Sequence, residues 1–484
     1  MSLLGIVVAL GLLIWLAYRG WSVLLLAPLA ALVAAAASRE PLLAHWTQTF
    51  MVSAANFLAE FFPLFLLGAL FGKLMDDSGS VKAIARFMTE QLGPQRAILA
   101  VVLAGAMVTY GGVSLFVAFF VLAPMAQSLF QQADIPRRLM PAAIVLGTST
   151  FTMSALPGTP AIQNAIPMPF FGTTPFAAPG LGVIASLIML AFGLWWLRRA
   201  EAVARASGEG YGAAQPAAAD KAADSEFIRE RATAAREFDP AEIHRGHHSE
   251  TMPPIAWAML PLLVVVVVNL LMSLVIWPRL DLGFLAEERW GATSLSSVGG
   301  VWSVAVALTA AVAAVVIINR SRLPALRESM DAGANASVLP AFGVASLVGF
   351  GAVVAALPGF AVVRDWVLSI GGGPLVSLAV ATNILSALTG SASGGMTIAL
   401  DALGETYLRL AAEAQIDPAL LHRVATISAG TLDSLPHNGA VVSLLAVCGL
   451  THRESYRDMV MVGIAGAVLA LLAVIALGSA FGSF

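Results

Sequence analysis

Apolar stretches separated by short polar or glycine-rich punctuation run along almost the whole chain. A helix crosses a bilayer core with about 20 mainly apolar residues. Runs approaching that length lie at 57–71, 97–107, 115–129, 141–151, 181–197, 255–277, 301–318, 338–357, 375–388, 440–450 and 459–481. Ahead of them, 3–18 and 21–37 flank Arg19 and Gly20. No basic segment precedes the first of these and a second apolar run follows at once, so the pair predicts a transmembrane hairpin rather than a cleaved leader. The pattern predicts an all-α polytopic membrane protein. Several runs fall well short of about 20 residues, so they are not simple spans.

The short runs carry a repeated interruption. Ala133-Asp134-Ile135-Pro136 precedes a helix-length run that ends in Thr152-Met153-Ser154-Ala155-Leu156-Pro157-Gly158. Gln415-Ile416-Asp417-Pro418 precedes another that ends in Thr431-Leu432-Asp433-Ser434-Leu435-Pro436-His437. Upstream of each lies a second glycine-rich break, Thr109-Tyr110-Gly111-Gly112-Val113-Ser114 and Thr389-Gly390-Ser391-Ala392-Ser393-Gly394-Gly395. Two halves thus hold corresponding broken segments, the sequence pattern of a transporter whose site lies near the midplane. The physical reason is that lipid satisfies no backbone N–H or C=O, so unwound chain survives only beside protein or a wet cavity. Half-helix N-termini suit a carboxylate, and loose carbonyls suit a cation. Small residues also serve simple helix packing, but two matched pairs of breaks, each with Leu-Pro, favour a site.

Composition agrees with a membrane. The chain is 58% hydrophobic and 11% charged, against roughly 25% charged in soluble domains, and its mean hydropathy is +0.85. Charge concentrates in a hydrophilic linker, 198–254, which divides a first transmembrane repeat, 1–197, from a second, 255–484. Arg198 and Arg199 abut a membrane run, and Arg205, Lys221, Arg229, Arg231, Arg236 and Arg245 follow; basic loops stay inside, so the linker is expected in the cytoplasm. A surface helix over 228–241 is conceivable, and His244, His247 and His248 read as part of a solvated loop rather than a metal site. A net charge of -3 offers nothing to nucleic acid. The single cysteine, Cys448, reads as a small core residue, and no spacing suggests a metal cage or a cofactor.

Ionisable residues within apolar segments are functional candidates by default. Asp433 leads, with the neutral Ser154 as its repeat counterpart; burial would raise its pKa and let it carry a proton. His437 is the second proton carrier. Around them Thr152, Ser154, Gly158, Thr159 and Asn164 are expected to meet Ser391, Ser393, Thr431, Ser434, His437 and Asn438 about a substrate. Tyr110, Gly112 and Ser114 would shape one hairpin, and Gly394, Gly395 and Thr397 the other. Glu60, Asp401 and Glu405 read as interfacial or as kink neighbours. No nucleophile–base pair stands out, so an enzyme is not expected.

The stretch Ser428-Ala429-Gly430-Thr431-Leu432-Asp433-Ser434-Leu435-Pro436-His437-Asn438-Gly439-Ala440-Val441, then Leu450-Thr451-His452-Arg453-Glu454-Ser455-Tyr456, resembles the gluconate:proton symporter (GntP) family of permeases. Thr152 to Pro160 supports the same resemblance, closest to the branch associated with 3-hydroxybutyrate; the second motif departs from the gluconate members. The resemblance implies a fold of the ion transporter superfamily, with inverted repeats and re-entrant hairpins. It further implies a scaffold domain beside a transport domain that moves like an elevator, and a homodimer in the bacterial inner membrane. The function implied is proton-coupled uptake of a small organic (hydroxy)monocarboxylate such as gluconate or 3-hydroxybutyrate. The alternative is a sodium-coupled carrier of organic anions (di- or tricarboxylates) from the same superfamily, and a channel would share the polar-lined core.

Overall fold

The computed structural model describes residues 2–19, 21–212, 245–246, 248–436 and 438–484. Among them every regular element is a helix. In order these are α1 (Ser2–Tyr18) and α2 (Val23–Ser38), then α3 (Leu42–Asp77), α4 (Ser80–Leu92), α5 (Ala97–Tyr110), α6 (Leu115–Gln132) and α7 (Met140–Thr148). Three short pieces follow, α8 (Phe151–Ser154), α9 (Ile162–Ala165) and α10 (Pro167–Phe171), before α11 (Pro179–Ala206). Beyond the linker come α12 (Ile255–Arg279), α13 (Leu295–Ile318), α14 (Leu326–Ala356), α15 (Phe360–Leu368), α16 (Gly373–Thr389), α17 (Ala392–Glu413), α18 (Pro418–Thr431) and α19 (Gly439–Val447). The last is α20 (His452–Phe481).

Seven of the described helices are long and apolar enough to cross a membrane: α3, α6, α11, α12, α13, α14 and α20. An eighth is reached by counting the pair from Ser80 to Tyr110 as one span bent by 101°. Of the sequence-predicted runs that fell short, 57–71 and 115–129 lie inside the spanning helices α3 and α6, whereas 97–107, 141–151, 375–388 and 440–450 are hairpin arms and half-helices. The first two helices do form a hairpin. Along α2, Ala27, Ala30, Ala31, Ala34 and Ala35 are all buried, and small residues of this kind let helix backbones approach where lipid offers no hydrophobic drive.

A single order of elements occurs twice. A long helix (α3), a short amphipathic helix (α4), a hairpin (α5–α6), a broken helix (α7–α10) and a spanning helix (α11) make up the first set. The second set is α14, α15, the α16–α17 hairpin, α18–α19 and α20. α3 ends and α14 begins at the same end of the bundle, where the Ser249 N–H at the close of the linker donates to the Asp77 carbonyl at 2.8 Å. The outer end of the first hairpin sits at this linker side too, since Arg205 in α11 donates to the Ala133 carbonyl at 3.1 Å. The second hairpin enters from the far side, where the Gly359 N–H donates to Ser2 Oγ at 2.9 Å.

The linker's described ends are docked rather than solvated. Arg138 donates to Glu209 at 2.8 Å and to Asp458 at 2.5 Å, tying the start of α7 to the end of α11 and the start of α20. His248 Nδ1 lies 3.1 Å from Asp77 Oδ1 and 3.7 Å from Asp76 Oδ2. The reason lies in α3: both aspartates are buried at its end, and buried carboxylates need positive partners. The other two histidines of the cluster, His244 and His247, and the helix expected over 228–241 lie outside the described residues.

The break in the first half is held by the second. Arg423 of α18 is fully buried; its Nη2 donates to the Ala177 carbonyl at 2.6 Å, Nε to the same oxygen at 3.2 Å, and Nη1 to the Ser154 carbonyl at 3.4 Å. Beside it, Asn164 donates through Nδ2 to the carbonyls of Thr159 (3.1 Å) and Pro175 (3.0 Å). Its Oδ1 is thus the acceptor, at 3.1 Å, of the His422 Nε2 proton. His422 Nδ1 then accepts from the Thr173 hydroxyl at 2.6 Å. The carbonyls that unwinding sets free are bonded by a guanidinium and an amide, as burial requires.

Two outcomes are expected. Arg423→Met should destabilise the detergent-solubilised protein by on the order of 3 kcal/mol, because charged hydrogen bonds to buried carbonyls are lost, and Arg423→Lys should not restore it, since an ammonium lacks the planar fork; thermal unfolding measures both. His248, outside the spans, has its pKa raised first by its hydrogen bond to Asp77. A raised histidine pKa means docking is fully present below the free-histidine value of about 6.5 and is lost as pH rises through the higher folded value. Hydrogen exchange at Ser249, corrected for intrinsic rate, should show protection falling with rising pH, and His248→Ala should flatten that dependence.

Candidate functional site

The hairpin tips and the helix breaks face one central cavity of about 260 Å³. Gly112 and Ser114 reach it from the first tip, and Gly390, Ser391 and Ser393 from the second. Ser149 and Met153 come from the first break, and Asp433, Ser434 and Asn438 from the second. α3 contributes Leu64 to Asp76 along one wall, roughly 18 Å of helix at 1.5 Å per residue. Ser337 and Val344 of α14 lie on the same wall. The volume sits just below the 300–1,000 Å³ of drug-sized sites, in keeping with a small ligand.

Local chemistry explains each tip. Gly112 turns the first with φ 100°, a left-handed conformation that glycine alone adopts freely, and a Cβ there would come 2.9 Å from Pro160 Cγ. Tyr110 braces this tip on the neighbouring break, its hydroxyl donating to the Pro157 carbonyl at 2.9 Å. At the second tip Ser391 caps α17 by accepting from the Gly394 N–H at 3.2 Å, the usual role of serine at a helix start. Gly395 acts by size: a Cβ would collide with the Ser386 backbone, so its absence lets the two arms meet.

Asp433 and Asn438 tie the second break to the second tip. Asp433 Oδ1 accepts from the Ala392 N–H and from Asn438 Nδ2, each at 2.8 Å. The same Nδ2 donates to the Gly390 carbonyl at 3.0 Å, while Asn438 Oδ1 accepts from the N–H groups of Ala440 (2.7 Å) and Val441 (3.2 Å) and caps α19. Thr159, at the matching place in the first half, does the lesser version of this, its Oγ1 accepting from the Ala161 N–H at 3.4 Å. Tyr456 donates to the Ser434 carbonyl at 3.1 Å and fixes the loop to α20.

Of the residues singled out from sequence, Gly112, Ser114, Ser391, Ser393, Asp433, Ser434 and Asn438 line the cavity together. Thr152, Ser154, Thr397 and Thr431 are buried and donate back to carbonyls of their own helical stretch, Thr152 to Gly147 and Thr148, Ser154 to Thr150, Thr397 to Ser393 and Thr431 to Ile427. Asn164 and Thr159 serve the fold of the first break, and the Gly158 carbonyl accepts from Asn269 of α12 at 3.0 Å. Tyr110, Gly394 and Gly395 likewise shape the tips without lining the cavity. His437 lies outside the described residues. Glu60, Asp401 and Glu405 are exposed and away from the cavity. Cys448 is buried.

Lys73 and Asp76 also line the cavity and escaped sequence reasoning, because charges at the end of an apolar run look interfacial. Lys73 Nζ lies 2.8 Å from Asp77 Oδ1. Asp76, Asp77 and His248 bring ligand atoms within 4.8 Å of one another, but the Lys73 ammonium already supplies that carboxylate with the positive charge a metal would bring.

A family model described as GntP family permease matches residues 1–170. The chain is 41% identical to the uncharacterized transporter YxjC of Bacillus subtilis (strain 168), over 99% of each protein. It is 32% identical over 121 residues to the high-affinity gluconate transporter of Escherichia coli (strain K12), a stretch covering 24% of this chain and 26% of that one. Among solved structures it is similar to MtrF of Neisseria gonorrhoeae, described within a class of antimetabolite efflux pumps, with a TM-score of 0.54 over 90% of this chain and 84% of that one. At 14% identity this last likeness bears on fold alone. Hairpin tips and broken helices gathered on one cavity in a polytopic helical chain are transporter architecture rather than that of an enzyme, and with near-full-length identity to a transporter they make this chain a member of the GntP permease family.

Proposed function

We propose that the protein is a secondary active transporter that carries a small organic (hydroxy)monocarboxylate, such as gluconate or 3-hydroxybutyrate, into the cell together with protons. The observation that carries this reading is the convergence of both hairpin tips and both breaks on one small cavity that also holds a carboxylate, Asp433. The cavity's hydroxyls, Ser114, Ser391, Ser393 and Ser434, suit a hydroxylated acid, whereas the Asn438 amide, expected from sequence to bind substrate, is fully engaged within the protein. The part-length similarity to a gluconate transporter supports the same substrate class.

Coupling follows from charge. Ionised Asp433 and a substrate carboxylate in one cavity repel; like charges 6–8 Å apart at an effective dielectric near 20 do so by roughly 2–3 kcal/mol. A proton on Asp433 removes that repulsion and weakens its hold on the Ala392 N–H at the second tip. Proton and anion therefore bind better together than apart, which is the thermodynamic requirement for symport. His437, the residue after Pro436, is the second candidate for the proton.

The two sets of elements are read as inverted repeats, because their hairpins enter from opposite sides. α3 and α14 belong to the scaffold, the hairpins and breaks to a transport domain that moves past it, in a homodimer of the inner membrane. Arg198 and Arg199 at the end of α11 favour a cytoplasmic linker.

Uptake of a panel of hydroxy acids into proteoliposomes, under separate proton and sodium gradients, tests the reading. Proton-driven accumulation that needs no sodium is expected. Asp433→Asn should retain substrate counterflow, lose accumulation by tenfold or more (about 1.4 kcal/mol of coupling), and show a flattened pH dependence. Full proton-driven accumulation by Asp433→Asn combined with His437→Ala would overturn the proton assignment, and accumulation driven by sodium alone would favour the sodium-coupled carrier.

A further inference from the structure

The charged residues lining the cavity, among those described, are Lys73, Asp76 and Asp433. Among them Lys73 is the one cation that an anion in that space meets. Its side chain is buried, with 6% of its surface exposed, and an ammonium is placed there only with partners. Asp77, one turn on and fully buried, supplies an internal one at 2.8 Å.

The neighbourhood is arranged for a second carboxylate. Gly72, just before Lys73, lets α3 approach the first tip so closely that a Cβ on it would lie 3.4 Å from the Ser114 nitrogen. Lys73, the next residue, packs toward α14, where a Cβ on Gly333 would lie 3.3 Å from its own Cβ, and it lines the cavity together with Leu115, Phe116 and Val117 of the start of α6. The helix starts at the other tip and break are already capped: α17 by Ser391 and Asp433, α19 by Asn438. At α6 the N-cap Ser114 makes no side-chain cap hydrogen bond. Positive helix end and ammonium act in the same direction.

We propose that Lys73 is the carboxylate-binding residue of the cavity, and that Asp77 is an internal carboxylate competing with substrate for the same ammonium. The proposal rests on the organic-acid reading above. When substrate arrives, its carboxylate takes hydrogen bonds from Lys73 Nζ, and Asp77 keeps its contact with His248 at 3.1 Å, so the aspartate is not left without a partner. The substrate's hydroxyl-bearing end then points to Ser391 and Ser393. Competition between a fixed and a diffusing carboxylate keeps affinity moderate, which release into the cell requires.

Concentration-dependent uptake of 3-hydroxybutyrate and gluconate into proteoliposomes tests this with Lys73→Met, Lys73→Arg, Asp77→Asn and the double variant Lys73→Met/Asp77→Asn. Lys73→Met should raise KM at least tenfold, Lys73→Arg should recover most of it, and Asp77→Asn should lower KM several-fold. The double variant keeps the local charge balance and so guards against a simple folding failure; its KM should stay as high as that of Lys73→Met. A double variant with wild-type KM would show that Lys73 only neutralises Asp77, and would overturn the proposal while leaving the organic-acid reading intact. Uptake of neither acid by the wild-type protein would remove that reading and this proposal with it. Competition by 3-hydroxybutyramide gives a second measure: the wild type should prefer acid over amide, and Lys73→Met should lose that preference.

Discussion

Unwound backbone inside a membrane has to find its hydrogen bonds within the protein, and the rest of this structure depends on how that is done. Each break frees carbonyls and N–H groups where lipid supplies no partner. At the first break the carbonyls of Ser154 and Ala177 go to Arg423, those of Thr159 and Pro175 to Asn164, and those of Pro157 and Gly158 to Tyr110 and Asn269. At the second, Asn438 caps the following helix and bonds the opposing hairpin tip. The side chains that satisfy the breaks are also the ones that hold the hairpins against them. A cavity bounded by four irregular segments is therefore a consequence of backbone accounting before it is a binding site.

The charges around the cavity are distributed by the same logic. Lys73, Asp76 and Asp77 lie within two turns at the end of α3, and the linker returns to them through His248 and Ser249. Buried ions of both signs placed together limit the desolvation each would suffer alone. The linker is thus part of the folded body at its ends, and the end of α3 is where cavity, linker and α14 meet. Asp433 stands apart from that cluster on the hairpin side of the cavity, held by an amide N–H and an asparagine.

Much of the fold was legible in sequence because hydropathy and interruption are both local signals. Apolar runs marked the spans, and Thr-x-x-x-Leu-Pro with the glycine-rich strings marked the breaks and tips that the structure brings together. The site was legible in part. Ser391, Ser393, Asp433, Ser434 and Asn438 line the cavity, whereas Thr152, Ser154 and Thr431 turn their hydroxyls to carbonyls of their own helices, a local alternative always open to such residues. Asn164 looked like a substrate ligand because its partners, His422 and two loop carbonyls, are distant in sequence or hidden in an irregular stretch. Arg423 and His422 were passed over because two polar residues after Pro418 resemble an ordinary helix start. Lys73 was missed for the opposite reason, since a charge at the end of an apolar run normally snorkels to the interface. Long-range pairing, which periodicity cannot express, accounts for Asn164, His422 and Arg423.

Arg423 separates the two halves in a further respect. A dissolved ion resting on loose carbonyls equilibrates with the bath, so the shape it supports rises and falls with its concentration outside the protein. A guanidinium attached to α18 has no off-rate. It keeps its charge at any physiological pH, and its local concentration does not depend on the medium. The first break is therefore a permanently occupied hinge, indifferent to ionic conditions. Of the two breaks, the second is the one left to answer to the composition of the surroundings.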